Sequence, residues 1–201
     1  MTSASGPDDR RWGDLVLWGP FAPVSAADLD RVEGVVGHRL PPDYREFLTV
    51  AHGGTLPYAV RLPPGDTDGD LIQFSTLFTG TGEGPETLLG EWRPQASAPL
   101  LPVAQDGGGS TLLLDLRDGS VWAFVRGLPT WAGGSGQDRG GQVAGSWTRY
   151  LGMLVVDEDM AQEVWEDARN GAGPEWSASV RRWLDAGLPG WRARPWARDA
   201  D

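Results

Sequence analysis

The residues able to do chemistry in this chain are few, and their spacing excludes most of what they could do. Cysteine is absent, which removes disulfides, thiolate metal ligands and a thiol nucleophile together. Lysine is absent too, all 17 basic residues being arginine, so a Walker-type phosphate lysine and Schiff-base chemistry are excluded. The two histidines, His38 and His52, have no carboxylate motif beside them and match no metal spacing. Serine and aspartate abound, but no Gly-x-Ser-x-Gly elbow is present. Asp66-Thr67-Asp68-Gly69-Asp70 opens like a calcium loop. Its glycine falls two positions early, however, and Leu77 stands where the closing glutamate belongs. The expected reading is an exposed acidic turn on which a basic partner can land. Gly80-Thr81-Gly82-Glu83-Gly84 and Asp106-Gly107-Gly108-Gly109 lack the context of phosphate loops and read as turns, with Asp106 placed to bond backbone amides of its own turn. Asp115 ends an apolar strand, which predicts a partly buried carboxylate that is paired or capped. Catalytic and metal-ligating residues are therefore expected to be none, and no cofactor is expected.

Charge is the stronger signal. The net charge is −11. Six acids and no base lie in residues 62–92 (Asp66, Asp68, Asp70, Glu83, Glu86, Glu91), and six more with no base lie in 157–167. These two windows hold the acidity, and the remainder is near neutral. Such a protein repels nucleic acid and anionic lipid and attracts basic surfaces. The C-terminal arginines, with Trp191 and Trp196 among them, read as a tail folded over the acidic helix at 158–169 rather than as a nucleic-acid site. No basic-then-apolar leader and no run of about 20 apolar residues is visible, so a cytoplasmic protein without membrane contact is expected.

The elements that must position these residues follow from periodicity. A chain of 201 residues with 11 tryptophans can bury one substantial core despite 29 glycines and 16 prolines. Residues 1–11 read as a frayed leader and 12–21 as a short strand or ordered arm. Ser25-Ala26-Ala27-Asp28 is a capping box opening a helix that Gly37 ends. A second helix starts at Pro41-Pro42 and stops at Gly53-Gly54. Alternation then predicts strands at 56–62 and 71–76, a short helix at 86–92, and a three-strand meander at 100–104, 110–116 and 120–126. A glycine-rich loop at 127–141, carrying Trp131, precedes helices at 142–156, 158–169 and 175–186. This order predicts an α+β fold with an antiparallel sheet of about five or six strands flanked by helices.

Three stretches carry a resemblance. The first is Leu40-Pro41-Pro42-Asp43-Tyr44-Arg45-Glu46-Phe47-Leu48 followed by Gly53-Gly54. The second is Leu101-Pro102-Val103-Ala104 through Asp106-Gly107-Gly108-Gly109 to Leu114-Asp115-Leu116, then Gly119-Ser120-Val121-Trp122. The third is Ser146-Trp147-Thr148-Arg149-Tyr150-Leu151. In this order they resemble the SUKH superfamily, which takes in the Smi/Knr-like cell-wall assembly regulators and bacterial SUKH immunity proteins. His52 departs from the pattern, which has asparagine there.

The resemblance implies a Smi/Knr-like domain at 25–156, an N-terminal arm at 1–24, and a C-terminal helical extension at 157–201 packed on the same domain. It also implies a binding fold, not an enzyme. The expected function is an immunity protein that neutralises a cognate bacterial toxin by direct binding; the alternative is a non-catalytic regulatory or scaffold module related to the Smi/Knr regulators. The expected partner is a protein, a basic toxin domain such as a nuclease. The residues expected to meet it are Asp66, Asp68, Asp70, Glu83, Glu86 and Trp131. An enzyme would instead need a deep cleft around Asp115 and His52.

Overall fold

The computed structural model describes residues 8–62, 71–78, 99–126, 139–171 and 173–197. Near its start, Gly13 takes a left-handed conformation, φ +57°, that a two-residue hairpin turn requires. Strands β1 (Asp9–Trp12) and β2 (Leu15–Trp18) therefore pair antiparallel, with Trp12 opposite Leu15. The stretch expected as a short strand or arm supplies β2, but residues 9–11, expected in a frayed leader, are strand, because Asp9, Arg10 and Arg11 pair with Trp18, Leu17 and Val16; Val16 and Leu17 are buried in the core.

Helix α1 (Ala26–Val36) begins as the capping box predicts. The Ser25 hydroxyl accepts from the Asp28 amide, and the Asp28 carboxylate accepts from the Ser25 amide at 2.9 Å. The Ser25 hydroxyl donating to the Asp28 carboxylate (2.7 Å), then the Ser25 amide and Arg31, hold the Asp28 carboxyl down at about 2. Helix α2 (Pro42–Val50) starts on its proline. Each helix buries an apolar stripe in the core, Leu29, Val32 and Val36 on α1 and Tyr44, Phe47 and Leu48 on α2.

Strands β3 (Val60–Arg61) and β4 (Leu71–Ile72) form a small ladder of their own. Strands β5 (Thr76–Leu77), β6 (Leu100–Gln105), β7 (Thr111–Asp115), β8 (Val121–Val125) and β9 (Arg139–Ala144) make one antiparallel sheet in sequence order. Thr55 ties the N-terminal hairpin to it, bridging Trp18 on one side and Thr76 on the other. Between β6 and β7 the Asp106 carboxylate accepts from the amides of Gly108 (2.7 Å) and Ser110 (2.9 Å), as its position in a glycine turn predicts. Helices α3 (Trp147–Leu151), α4 (Glu158–Arg169) and α5 (Pro174–Gly187) follow, then two 3-10 turns, Trp191–Ala193 and Pro195–Ala197. The protein is α+β, a five-strand antiparallel sheet flanked by helices, with extra helices at its C-terminal end.

Several sequence expectations need correction. The loop expected at 127–141 has given way to β9 by Arg139, because Arg139, Gly140 and Gly141 pair with Val125, Phe124 and Ala123. The strand expected at 71–76 is two short ones, Leu71–Ile72 pairing with β3 and Thr76–Leu77 with β6. The helix at 142–156 is confined to Trp147–Leu151, because Gln142 pairs with Trp122 and Ala144 with Val121 in the ladder of β9 with β8. The Ser146 side chain then caps the Arg149 amide and starts the helix there. The strand at 56–62 shrinks to Val60–Arg61. Leu56, Tyr58 and Ala59 are buried all the same, and Ala59 is held by an isolated bridge to Val155. The helix expected at 86–92 lies outside the described residues.

One core runs through all of this. Trp147, Trp165, Trp183 and Trp191 are each at most 1% exposed, so large rings from the central domain and from the C-terminal helices fill it together.

Candidate functional site

Asp66, Asp68, Asp70, Glu83, Glu86 and Trp131, the six residues expected to meet a partner, all lie outside the described residues. The second acidic window, 157–167, is described, and α4 divides its acids between structure and surface. Asp157 caps the helix through the Met160 amide (3.0 Å), and Glu158 pairs with Arg194 (3.4 Å). Asp159, Glu163 and Asp167 project into solvent, with no ion pair among the described residues. The arginine-rich tail does fold over this helix. Trp191 packs edge-on against Trp165, their centroids 4.9 Å apart, and Arg192 pairs with Asp185.

The polar residues of the matched stretches hold the frame. Asp43 is the clearest case. One carboxylate oxygen accepts from the Thr148 amide (2.9 Å) and the Thr148 hydroxyl (3.1 Å), and the other accepts from the Tyr44 amide (2.9 Å). An aspartate at the start of α2 thus caps α3, 105 residues away. Tyr44 and Phe47 stand edge-on to Trp147 across the same joint, at 4.9 and 5.1 Å. Asp115 is 2% exposed, and both its oxygens are taken by the Arg117 guanidinium (3.0 and 2.7 Å). That guanidinium holds the carboxyl below its usual range against the opposing effect of burial. It is the paired carboxylate its place in the sequence predicts.

His52 lines a small pocket between α1 and α2, about 80 Å³, with Tyr44, Leu48 and Leu101 among its walls; Asp115 is not one of them. Burial lowers the affinity of His52 for a proton, and burial drives the Tyr44 hydroxyl well above the usual tyrosine range. No group of three acidic or histidine residues able to hold a metal occurs among the described residues. No described helix is long and apolar enough to cross a membrane.

What sequence reasoning missed is a cap made from both ends of the chain. The β1–β2 hairpin and α5 lock together. The Asp9 carboxylate accepts from the Ser179 hydroxyl (2.8 Å) and from the Arg182 guanidinium (2.9 Å to Nε), while Trp18 meets Trp176 and Trp183 edge-on at 4.7 and 5.1 Å. Where this cap meets the central domain, a groove of about 400 Å³ opens. Trp12, Asp14 and Leu15 form one wall, Leu151, Gly152, Leu154 and Val156 another, and the end of α5 closes it. Gly187 permits that closure: a Cβ there would come 2.3 Å from Val156 Cγ2. The only local signal was the Gly13-Asp14 turn pair; the partners in α5 lie some 170 residues away.

Taken together, the fold and these engaged polar groups define a helix-flanked antiparallel-sheet module whose chemistry-bearing side chains maintain its own frame. The chain belongs to the SMI1 / KNR4 family (SUKH-1), whose model matches residues 23–153. A comparison with curated proteins returns no match. At the level of the family, membership supports a protein-binding module that works without catalysis. The match excludes the β1–β2 hairpin and nearly everything after α3, so the two halves of the cap are what this chain adds to the shared domain.

Proposed function

We propose that the protein is an immunity protein, which neutralises a cognate bacterial toxin in the cytoplasm by binding it directly. The observation that carries this reading is the division of labour among the polar residues. The matched acids Asp43, Asp106 and Asp115 are tied into the frame, whereas Asp159, Glu163 and Asp167 of α4, outside the matched stretch, face solvent. A frame of that kind presents a negative surface, which suits a basic toxin domain such as a nuclease and speeds its capture. In this reading residues 25–156 form the binding domain, 1–24 an N-terminal arm, and 157–201 a helical extension packed on the domain. The acidic stretch with Asp66, Asp68, Asp70, Glu83 and Glu86, together with Trp131, meets the partner.

The test is co-expression with the product of the adjacent gene, followed by purification and titration calorimetry. A stable complex with a toxin domain is expected. Reversing Asp66, Asp68 and Asp70 together should weaken it and flatten its salt dependence. A neighbour that is not a toxin, together with recovery of housekeeping partners, would instead favour a regulatory module of the Smi/Knr kind.

A further inference from the structure

We propose that the groove between the cap and the central domain is a docking site for a cationic side chain, arginine or lysine, presented by a basic protein partner. This deepens the reading above and rests on it. Three observations combine. The walls mix apolar side chains, Trp12, Leu15, Leu151, Leu154 and Val156, with polar groups from Asp14, Tyr58 and Thr148, and Val155 alongside is 46% exposed, which is unusual here for a large aliphatic side chain. The single acidic group on the walls, Asp14, makes no ion pair or hydrogen bond among the described residues. Finally, the volume of about 400 Å³ exceeds what one small ion needs and suits a side chain with an apolar stem.

An arginine or lysine matches each part. Its methylene stem lies along apolar walls while its charged head seeks a carboxylate and water. Asp14 sits at the tip of the hairpin turn, where such a head would arrive. The chain's net charge of −11 favours a cationic visitor over an anionic one. Arg11 opposes it, since its charge acts on the Tyr58 hydroxyl, and Tyr58 is part of the groove wall. Asp14 and Arg11 are both exposed and should therefore shift affinity in opposite directions without disturbing the fold.

The probe is butylguanidinium chloride, with butan-1-ol as the uncharged control, followed by amide chemical-shift mapping on the whole protein. Saturable shifts at residues 12–15, 151–156 and 186–187 are expected with butylguanidinium, and weaker ones with butanol. Asp14→Asn should weaken the interaction by up to about fivefold, the ceiling for an exposed ion pair. Arg11→Gln should strengthen it. Shifts scattered over the acidic surface, equal binding of butanol, or indifference to Asp14→Asn would overturn the proposal. The same two variants, measured against a captured partner, separate this inference from the broader one. A partner that binds wild type and Asp14→Asn equally refutes the groove but leaves the immunity reading intact. If no partner is found, the butylguanidinium result still decides the groove.

Discussion

Replacing Asp43 with alanine tests the claim that the matched acids serve the frame. The carboxylate carries three bonds, to the amide and hydroxyl of Thr148 and to the amide of Tyr44. All three have a charged acceptor, but two of them are exposed, so water replaces part of what is lost. The closest measured analogue is deletion of a helix N-cap, which costs about 0.5–2 kcal/mol. Because this one side chain serves two helix starts, the upper end applies, about 2 kcal/mol. In a chain of this size that lowers Tm by about 4–8 °C. Urea unfolding followed by tryptophan fluorescence reads the change directly, since Trp147 lies at the joint. Asp43→Asn keeps one carbonyl acceptor and should lose about half as much. In a double-mutant cycle, Thr148→Val should couple to Asp43→Ala but not to a distant surface change. A cost below about 0.5 kcal/mol for Asp43→Ala, the range of an ordinary surface substitution, would refute the reasoning and leave Asp43 available for binding.

Two further predictions concern the frame. Gly187→Ala forces a Cβ against Val156 Cγ2 and should cost about 1–3 kcal/mol in urea unfolding, as overpacking does; a neutral result would mean that the end of α5 sits further from Val156. Asp115 is expected to make stability pH-dependent. The Arg117 guanidinium sets its folded pKa below the ordinary 3.8. Its contribution is therefore complete above that value and is lost as pH falls through the folded pKa. Urea midpoints between neutral pH and pH 2 should show this loss, and Asp115→Asn should reduce its slope; an unchanged slope would remove the pair from the stability of the fold.

How much of this was legible in the sequence depends on the range of each interaction. Local chemistry read well. Ser25 and Asp28 are three residues apart and announced α1, and Asp106 announced the β6–β7 turn from its glycines. Asp115 read as a paired or capped carboxylate because it ends an apolar strand, and the partner the structure shows, Arg117, stands only two residues away. The helix at 142–156 misread because Val143, Trp147, Tyr150 and Leu151 keep a helical period across two elements. Gln142 and Ala144 belong to a strand only because β8 lies beside them, and neighbours across a sheet leave no local trace. Asp43 stood out as part of a motif, but its role depends on Thr148, and nothing in the local sequence points there. The groove was the least legible feature, since its walls come from the two chain ends and the middle. Of the six residues expected to meet a partner, five stand out by their charge and the sixth, Trp131, does not; all six lie outside the described residues.

In the proposed function this protein acts by contact and not by turnover. The most direct measurement is a titration of the cognate toxin's activity with increasing protein, read at several incubation times. Binding alone predicts a linear loss of activity that ends at a fixed stoichiometric equivalence, does not deepen with time, and leaves both chains at their original mass. Inactivation of many toxin molecules by each molecule of this protein, growing with time or leaving the toxin with a changed mass, would contradict it.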